Sequence, residues 1–484
     1  MLFDLLGFLL LLPTGLANPR KLLYLFIWTM PFMAGNMIGP FFIPYTPWRS
    51  AIYCYLFCVF IKSRKFSHAK GFASSAFGAF SFLAIFTVAG ILYAQFYAPY
   101  LASYTQSPLV HGFRVLLSEL IVWLLPVALL WHIQEDEEAP TLIRHILLAG
   151  IFYCGLGVLQ FAVVTVAGYD LFPIVRGAQD PGSLTVQTVA GTSDAVGRIN
   201  SICGEPRFLS LYCTIWFLLV LTCGEAFRLK TKGKAALVGL FLLTNILTIS
   251  RSGLVTSAAG LLGLLFSPLF VRQRNEAKRV SKAVFILPIL LAVAFLFHGE
   301  VSAILEESVF AKRISDVSRS IEVLGLTVPL EYQDLATINL VSENPLSLVT
   351  GFGAGLWQYY VDPFEDPALR KTYSEEATLD SLKQNIAIVA RITHFGLIGL
   401  VLVFFFYRHL YRLLYSAESS MPGKPRTARH FFFWIFLLQI TVGGEAYIPI
   451  ILVASARLAA GVPDLLPGLR RGRPEQPSLG TVTA

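Results

Sequence analysis

An all-α protein that crosses a lipid bilayer many times is the fold class the sequence predicts, and three observations predict it. Of 484 residues, 55% are hydrophobic and only 14% are charged, more apolar surface than one water-soluble core can hide. Apolar runs of roughly 16 to 25 residues recur along the chain, and a helix of about 20 residues spans a bilayer. The runs are continuous rather than alternating, which excludes a membrane barrel. About 12–13 transmembrane segments are expected. The net charge of +8 reflects basic loops on one side of a membrane rather than a nucleic-acid surface.

Taken in order, the first apolar run is 2–17, within "MLFDLLGFLLLLPTGLANPRK". It resembles a signal peptide, but Asp4 stands where a basic n-region belongs, and Arg20 and Lys21 follow the run. That order points the segment inward and retains it as an anchor. Runs 22–43, 45–61, 72–97, 112–132 and 142–167 follow. Lys62, Arg64, Lys65 and Lys70 mark one cytoplasmic loop. The acidic "QEDEEAP" falls in another and leaves the assignment standing, since acids count little in orientation. Residues 168–206 form a first outer loop. Runs 207–225, 235–249, 254–270 and 283–298 come next, with basic loops at 228–234 and 272–282. A second outer loop, 299–385, is about 87 residues long, far beyond an ordinary connection. Run 386–407 leads to a fourth basic loop. Run 430–457 is broken by "GGE" at 443–445 and reads as one tilted helix or a re-entering hairpin. Residues 458–484 form a cytoplasmic tail, and the whole chain reads as a single membrane domain. No internal repeat is visible, which disfavours a transporter built from two matching halves. The six cysteines show no zinc spacing and read as small core residues.

The chemistry-bearing residues gather at the outer boundary. "SICGEPRFLS" puts Glu205 and Arg207 around a proline where run 207–225 begins. "ISRSG" puts Arg251 in the outer turn between two short runs. Arg251 reads either as an anchor snorkelling to lipid phosphates or as an anion site near membrane depth. Arg176 and Arg198 lie in the first outer loop and Arg391 follows the second. Guanidinium groups grip phosphates bidentately. Glu205, and after it Glu445, are candidate general bases, with salt-bridge and helix-end readings beside them. Gly351, Gly353 and Gly355 lack the preceding strand and the following Lys-Ser or Lys-Thr of a nucleotide loop. They read as a lid segment, with Trp357, Tyr359 and Tyr360 as sugar-stacking platforms or ordinary packing.

Four stretches resemble motifs of the O-antigen polymerase and ligase superfamily of bacterial envelopes: "GEPRFLS", "TISRSGLVTSAAGLL", "ENPLSLVTGFGAGLWQYY" and "HFGLIGLVLVFFF". Their order spans about residues 200 to 407. The resemblance implies a GT-C-like, metal-independent helical glycosyltransferase with no cofactor. Such an enzyme works at the periplasmic face of the bacterial inner membrane on undecaprenyl-pyrophosphate-linked oligosaccharide. By motif match Arg251 and Arg207 take the pyrophosphate-binding arginine positions. Arg176, Arg198, Arg391, Trp357 and Tyr360 are the further substrate-binding candidates. Ligases carry a His-Asn pair about a dozen residues before the last motif. Here Gln384 and Asn385 stand there, and His394 comes a helix turn or more too late. That departure favours polymerisation of repeat units into O-antigen, capsule or exopolysaccharide over transfer to lipid A core. A ligase-like transferase to another acceptor and a lipid-linked oligosaccharide flippase are the alternatives. A flippase, a chain-length regulator and membrane lipid are the expected partners; nucleic acid is not.

Overall fold

The first three helices form a trio: α1 (Leu2–Ala17), α2 (Pro19–Thr29) and α3 (Pro47–Lys62). In the computed structural model the residues described are 2–32, 36–38, 41–43, 47–62, 70–104, 106–132, 138–167, 170–172, 199–204, 206–223, 230–250, 257, 320–323, 326–329, 332–361 and 387–419. Asn18 separates α1 from α2. Its side chain accepts from the Arg20 N–H, and Pro19 takes the first helical position, where its missing N–H is not needed. At one end of α3 the Ser50 hydroxyl donates to the Asp4 carbonyl; at the other the Lys62 ammonium donates to the Ala17 carbonyl. α1 and α3 therefore run parallel, which places Arg20 and Lys21 at the same end as Lys62. Most of α3 is buried, through Trp48, Ile52, Tyr55, Leu56 and Val59, while Phe57 and Ile61 are exposed.

One expected segment is corrected here. Run 22–43 is not a single helix. α2 stops at Thr29, and Asn36–Ile38 pairs antiparallel with Phe41–Ile43 as β1 and β2, with Ile38 opposite Phe41. Pro31, Pro40 and Pro44 account for the break, because proline disfavours helix at the residue before it and removes a backbone donor.

Three long helices follow: α4 (Lys70–Tyr97), α5 (Pro108–His132) and α6 (Glu138–Ala167). α5 begins four residues ahead of the expected run. The Ser107 hydroxyl accepts from the Val110 N–H and Pro108 sits at the first turn, which is a helix-start signal hidden by the apolar count. α7 (Pro206–Cys223) and α8 (Thr231–Leu247) pack on α6. α7 is the centre of the main core: Leu209, Cys213, Trp216, Phe217 and Leu219 are sealed. Gly150 of α6 lets the Trp216 ring approach so closely that a Cβ there would meet it at 2.7 Å. The indole of Trp28 donates to His145 and the Tyr153 hydroxyl donates to the Trp28 carbonyl, which ties α2 to α6.

Beyond these come a second hairpin, β3 (Ser320–Val323) with β4 (Leu326–Pro329), then α9 (Tyr332–Glu343), α10 (Pro345–Thr350) and α11 (Ala387–Ser419). Four helices among the described residues are long and apolar enough to cross a bilayer: Ser74–Tyr97, Pro108–Leu130, Thr141–Ala167 and Val389–Phe406. Phe82, Ile85, Val88 and Leu92 of α4 and Leu397, Val401 and Phe404 of α11 are exposed, as lipid-facing side chains should be. The protein is a mainly helical membrane protein. Runs 254–270, 283–298 and 430–457, and the tail 458–484, lie outside the described residues apart from Ser257.

Candidate functional site

Two places bring polar groups together within this apolar bundle. The first is the start of α7. Pro206 opens the helix as the sequence predicts, and the Arg207 guanidinium lies over the Phe208 ring, 5.0 Å from its centroid. One and two turns further on, Ser210 and Thr214 continue the Arg207 stripe. Ser210 donates to the Asn245 side-chain oxygen of α8. The Asn245 amide donates to Ser257 at 2.5 Å and to Thr214 at 3.4 Å, and the Thr214 and Ser257 hydroxyls meet at 2.6 Å. All four residues are buried. Polar groups at membrane depth must be satisfied internally, and these satisfy one another across three chain segments. Arg251 lies outside the described residues, between Ser250 and Ser257, both buried.

Beside it, a clasp closes the ends of the segment between α6 and α7. Gln160 of α6 is fully buried. Its amide donates to Asp170 at 2.6 Å and to the Asn200 side chain at 2.7 Å; its carbonyl accepts from the N–H groups of Asn200 at 3.0 Å and Ser201 at 2.8 Å. Asn200 in turn donates to the carbonyls of Phe172 and Gly204. The Ile199 N–H reaches the Leu247 carbonyl, so the clasp also meets the end of α8. Ser201 takes a positive φ of 52° within it. Cys203 is sealed inside, and burial pushes its thiol well above the usual range. Arg176, Arg198 and Glu205 lie outside the described residues.

The second place is built on the glycine series. Gly351–Leu356 is wedged between α4, α5 and α11. The Phe352 N–H donates to the Thr393 carbonyl at 2.8 Å and the Gly353 N–H to the His394 carbonyl at 2.9 Å. α11 breaks there, with Gly396 at φ 62° and ψ −164°. A broken helix frees carbonyls, and the glycine segment takes them up. Gly351 (φ 70°) and Gly396 face one another's backbones: a Cβ on Gly351 would meet the Phe395 nitrogen at 2.4 Å, and one on Gly396 the Val349 oxygen at 2.2 Å. Only glycine fits either position. On the other side the Ala354 N–H reaches the Thr87 hydroxyl of α4, and the Gly355 backbone lies against the His111 ring of α5. The segment is a packed wedge, not the lid the sequence suggested.

Arg391 of α11 forms an ion pair with Glu119 of α5 in this region. The side chains are 22% and 10% exposed, so the Glu119 side chain is nearly covered while part of the Arg391 side chain stays open. Glu119 is the only acid in the four candidate spans. His111 lies two turns before it on the same face of α5. His394, a turn after Arg391, is within electrostatic range of both Arg391 and His111. The Phe406 ring meets that of Trp123 at 4.8 Å between centroids, tilted by 55°. About one turn of α5 separates Glu119 from Trp123, whereas about four turns of α11 separate Arg391 from Phe406. The break at Gly396 reconciles these contacts.

The aromatic candidates divide. Trp357 is 2% exposed and packs with Ile91, Tyr104 and Leu340. A covered indole offers no stacking face, and its reading as a sugar platform is corrected to core. Tyr359 is likewise buried, its hydroxyl donating to the Gln106 carbonyl. Tyr360 stays partly open, stacked on Tyr93 at 6.3 Å. Burial, with Tyr93 beside it, pushes its hydroxyl up to about 12. Reading the sequence missed Glu119, Gln160 and Asn245. Glu119 had a usable signal, a lone acid inside an apolar run; the two amides had none. Glu445 lies outside the described residues. Among those described, no cluster of His, Cys, Asp and Glu fit for a metal ion is present.

No protein-family model matches the chain, and a comparison with curated proteins finds no match either.

Proposed function

We propose that the protein is a polysaccharide polymerase that joins oligosaccharide repeat units carried on undecaprenyl pyrophosphate. On this reading it has a GT-C-like arrangement, works at the periplasmic face of the bacterial inner membrane and needs no metal. One observation carries the reading: the four motifs of the resemblance pack in pairs. "GEPRFLS" meets the segment around "TISRSG" through Ser210, Asn245, Thr214 and Ser257. "PLSLVTGFGAG" meets "THFGLIG" through Phe352, Gly353, Thr393 and His394. Residues far apart in sequence thus form two assemblies, each contributing an arginine, Arg207 or Arg391. Fixed guanidinium groups in a dry site stabilise the charge developing on a departing pyrophosphate more than they stabilise the ground state. An acceptor hydroxyl attacks the anomeric carbon as the pyrophosphate leaves.

Flipping of the same lipid-linked substrate is the second reading. It is favoured by the broken helix α11 and the charges inside the spans, both features of transporters. Deleting the gene in its host separates the two. Loss of the polymerase leaves single repeat units exported but unjoined; loss of a flippase stops export altogether. Single units transferred to an end acceptor only by the wild type would instead indicate a ligase-like enzyme.

A further inference from the structure

We infer that Glu119 is the proton acceptor of this reaction and that binding of the donor diphosphate to Arg391 releases it for that role. The inference rests on the glycosyltransferase reading above and adds the residue that activates the acceptor.

A charge inside a membrane span is costly, and such residues pair or mark a substrate path. Glu119 and Arg391 pair, but unequally. The Glu119 side chain is 10% exposed, and the Arg391 side chain keeps 22% of its surface open. An incoming diphosphate reaches Arg391 from the open side. It competes with the carboxylate for the same planar donors, since guanidinium binds phosphate and carboxylate by the same geometry. The displaced carboxylate remains inside the bundle on the His111 face of α5, where the backbone of Gly355 closes the space above the imidazole. It is then a base without its cation, next to the site of reaction.

The step balances without a further reagent. The acceptor oxygen forms a bond to the anomeric carbon, and the bond from that carbon to the pyrophosphate oxygen breaks with its electron pair on the leaving group. The hydroxyl proton passes to Glu119. When undecaprenyl pyrophosphate departs, Arg391 recovers the carboxylate and the proton leaves. Donor binding and base release are one event, so the base is not set free until a donor is in place.

A purely structural ion pair and a gated base predict opposite signs for one variant. Glu119→Gln keeps the shape and a hydrogen bond to Arg391 but removes the competing charge and the proton-accepting oxygen. The full-length protein in nanodiscs is titrated with undecaprenyl pyrophosphate, and turnover is measured separately with lipid-linked repeat units extracted from the host. The gated base predicts binding several-fold tighter than wild type, with turnover lower by about 10² to 10⁴. Turnover within threefold of wild type, or binding lost while the melting temperature holds, overturns the inference. Should Glu119→Gln fail to fold, Glu119→Asp is the second probe. Retained binding with turnover lower by about tenfold or more supports the inference, and unchanged turnover overturns it. Wild-type protein that binds the lipid but never elongates a glycan refutes the polymerase reading itself; an active wild type with an equally active Glu119→Gln refutes only the role of Glu119.

Discussion

Replacing Gln160 by Leu removes the centre of the clasp at the start of α7 while keeping the side-chain volume similar. The N–H groups of Asn200 and Ser201, held at 3.0 and 2.8 Å, lose their acceptor in a buried place. Each such orphaned donor costs about 1–3 kcal/mol. The Asp170 carboxylate loses a donor as well. A total near 4 kcal/mol is expected, which opens the clasp about 10³-fold more often at roughly 1.4 kcal/mol per decade. Cys203 reports that opening. It is fully buried within the clasp, and burial disfavours its thiolate, so it reacts only from the opened state. In a variant retaining Cys203 as its sole cysteine, the rate of maleimide labelling measures how often the clasp opens. Gln160→Leu should raise that rate by two to three decades, to the order of 10² to 10³-fold, while α-helical content is unchanged. A rate within about threefold of the parent would mean that the four hydrogen bonds of Gln160 do not hold the loop, and that the position of Arg207 owes nothing to them.

Other outcomes follow from the same geometry. Gly351→Ala and Gly396→Ala each set a Cβ against backbone at 2.4 and 2.2 Å, so both should abolish monodisperse protein in size-exclusion chromatography. Gly78→Ala, which meets nothing within 4 Å in the interior of α4, should raise the melting temperature by an amount worth about 1 kcal/mol. Arg391→Ala should abolish polymer with the protein still in the membrane, and Arg391→Lys should stay impaired because a point charge cannot replace the planar fork; glycan gels of complemented cells decide. An impermeant maleimide should label single cysteines placed at 185 and 343 in intact cells and spare those at 66 and 276, and the reverse pattern would invert the map.

The bundle was readable in outline because continuous apolar runs leave a helix no alternative in lipid. Pro206 at the start of α7 was readable for a similar reason, since proline there has one cheap position. Composition failed where a few residues outweigh the average. Run 22–43 is apolar throughout, yet its prolines divide it into a helix and a hairpin. The glycines at 351–355 looked like a lid because sequence shows their freedom and not what constrains it, which is a break in α11 some forty residues further on. The same limit applies to the site. Arg391 was visible as an outlying charge. Its partner Glu119 belongs to a helix more than 250 residues earlier, and no local pattern links them. Gln160 and Asn245 are ordinary residues in sequence, and only the groups that the fold brings to them give them their role.

The break at Gly396 bears on how the chain is assembled. As a newly inserted segment, 389–406 can be one straight helix, with Thr393 and His394 bonded to their own later amides. Docking of Gly351–Gly353 trades those bonds for the N–H groups of Phe352 and Gly353. Two hydrogen bonds are exchanged for two, so neither state is favoured by bonding alone; the packing of the wedge against α4 and α5 sets the balance. Forming the break is thus a change of bonding partners within the bundle, open to anything that lifts the wedge, and the helix is completed by a segment that precedes it in the chain.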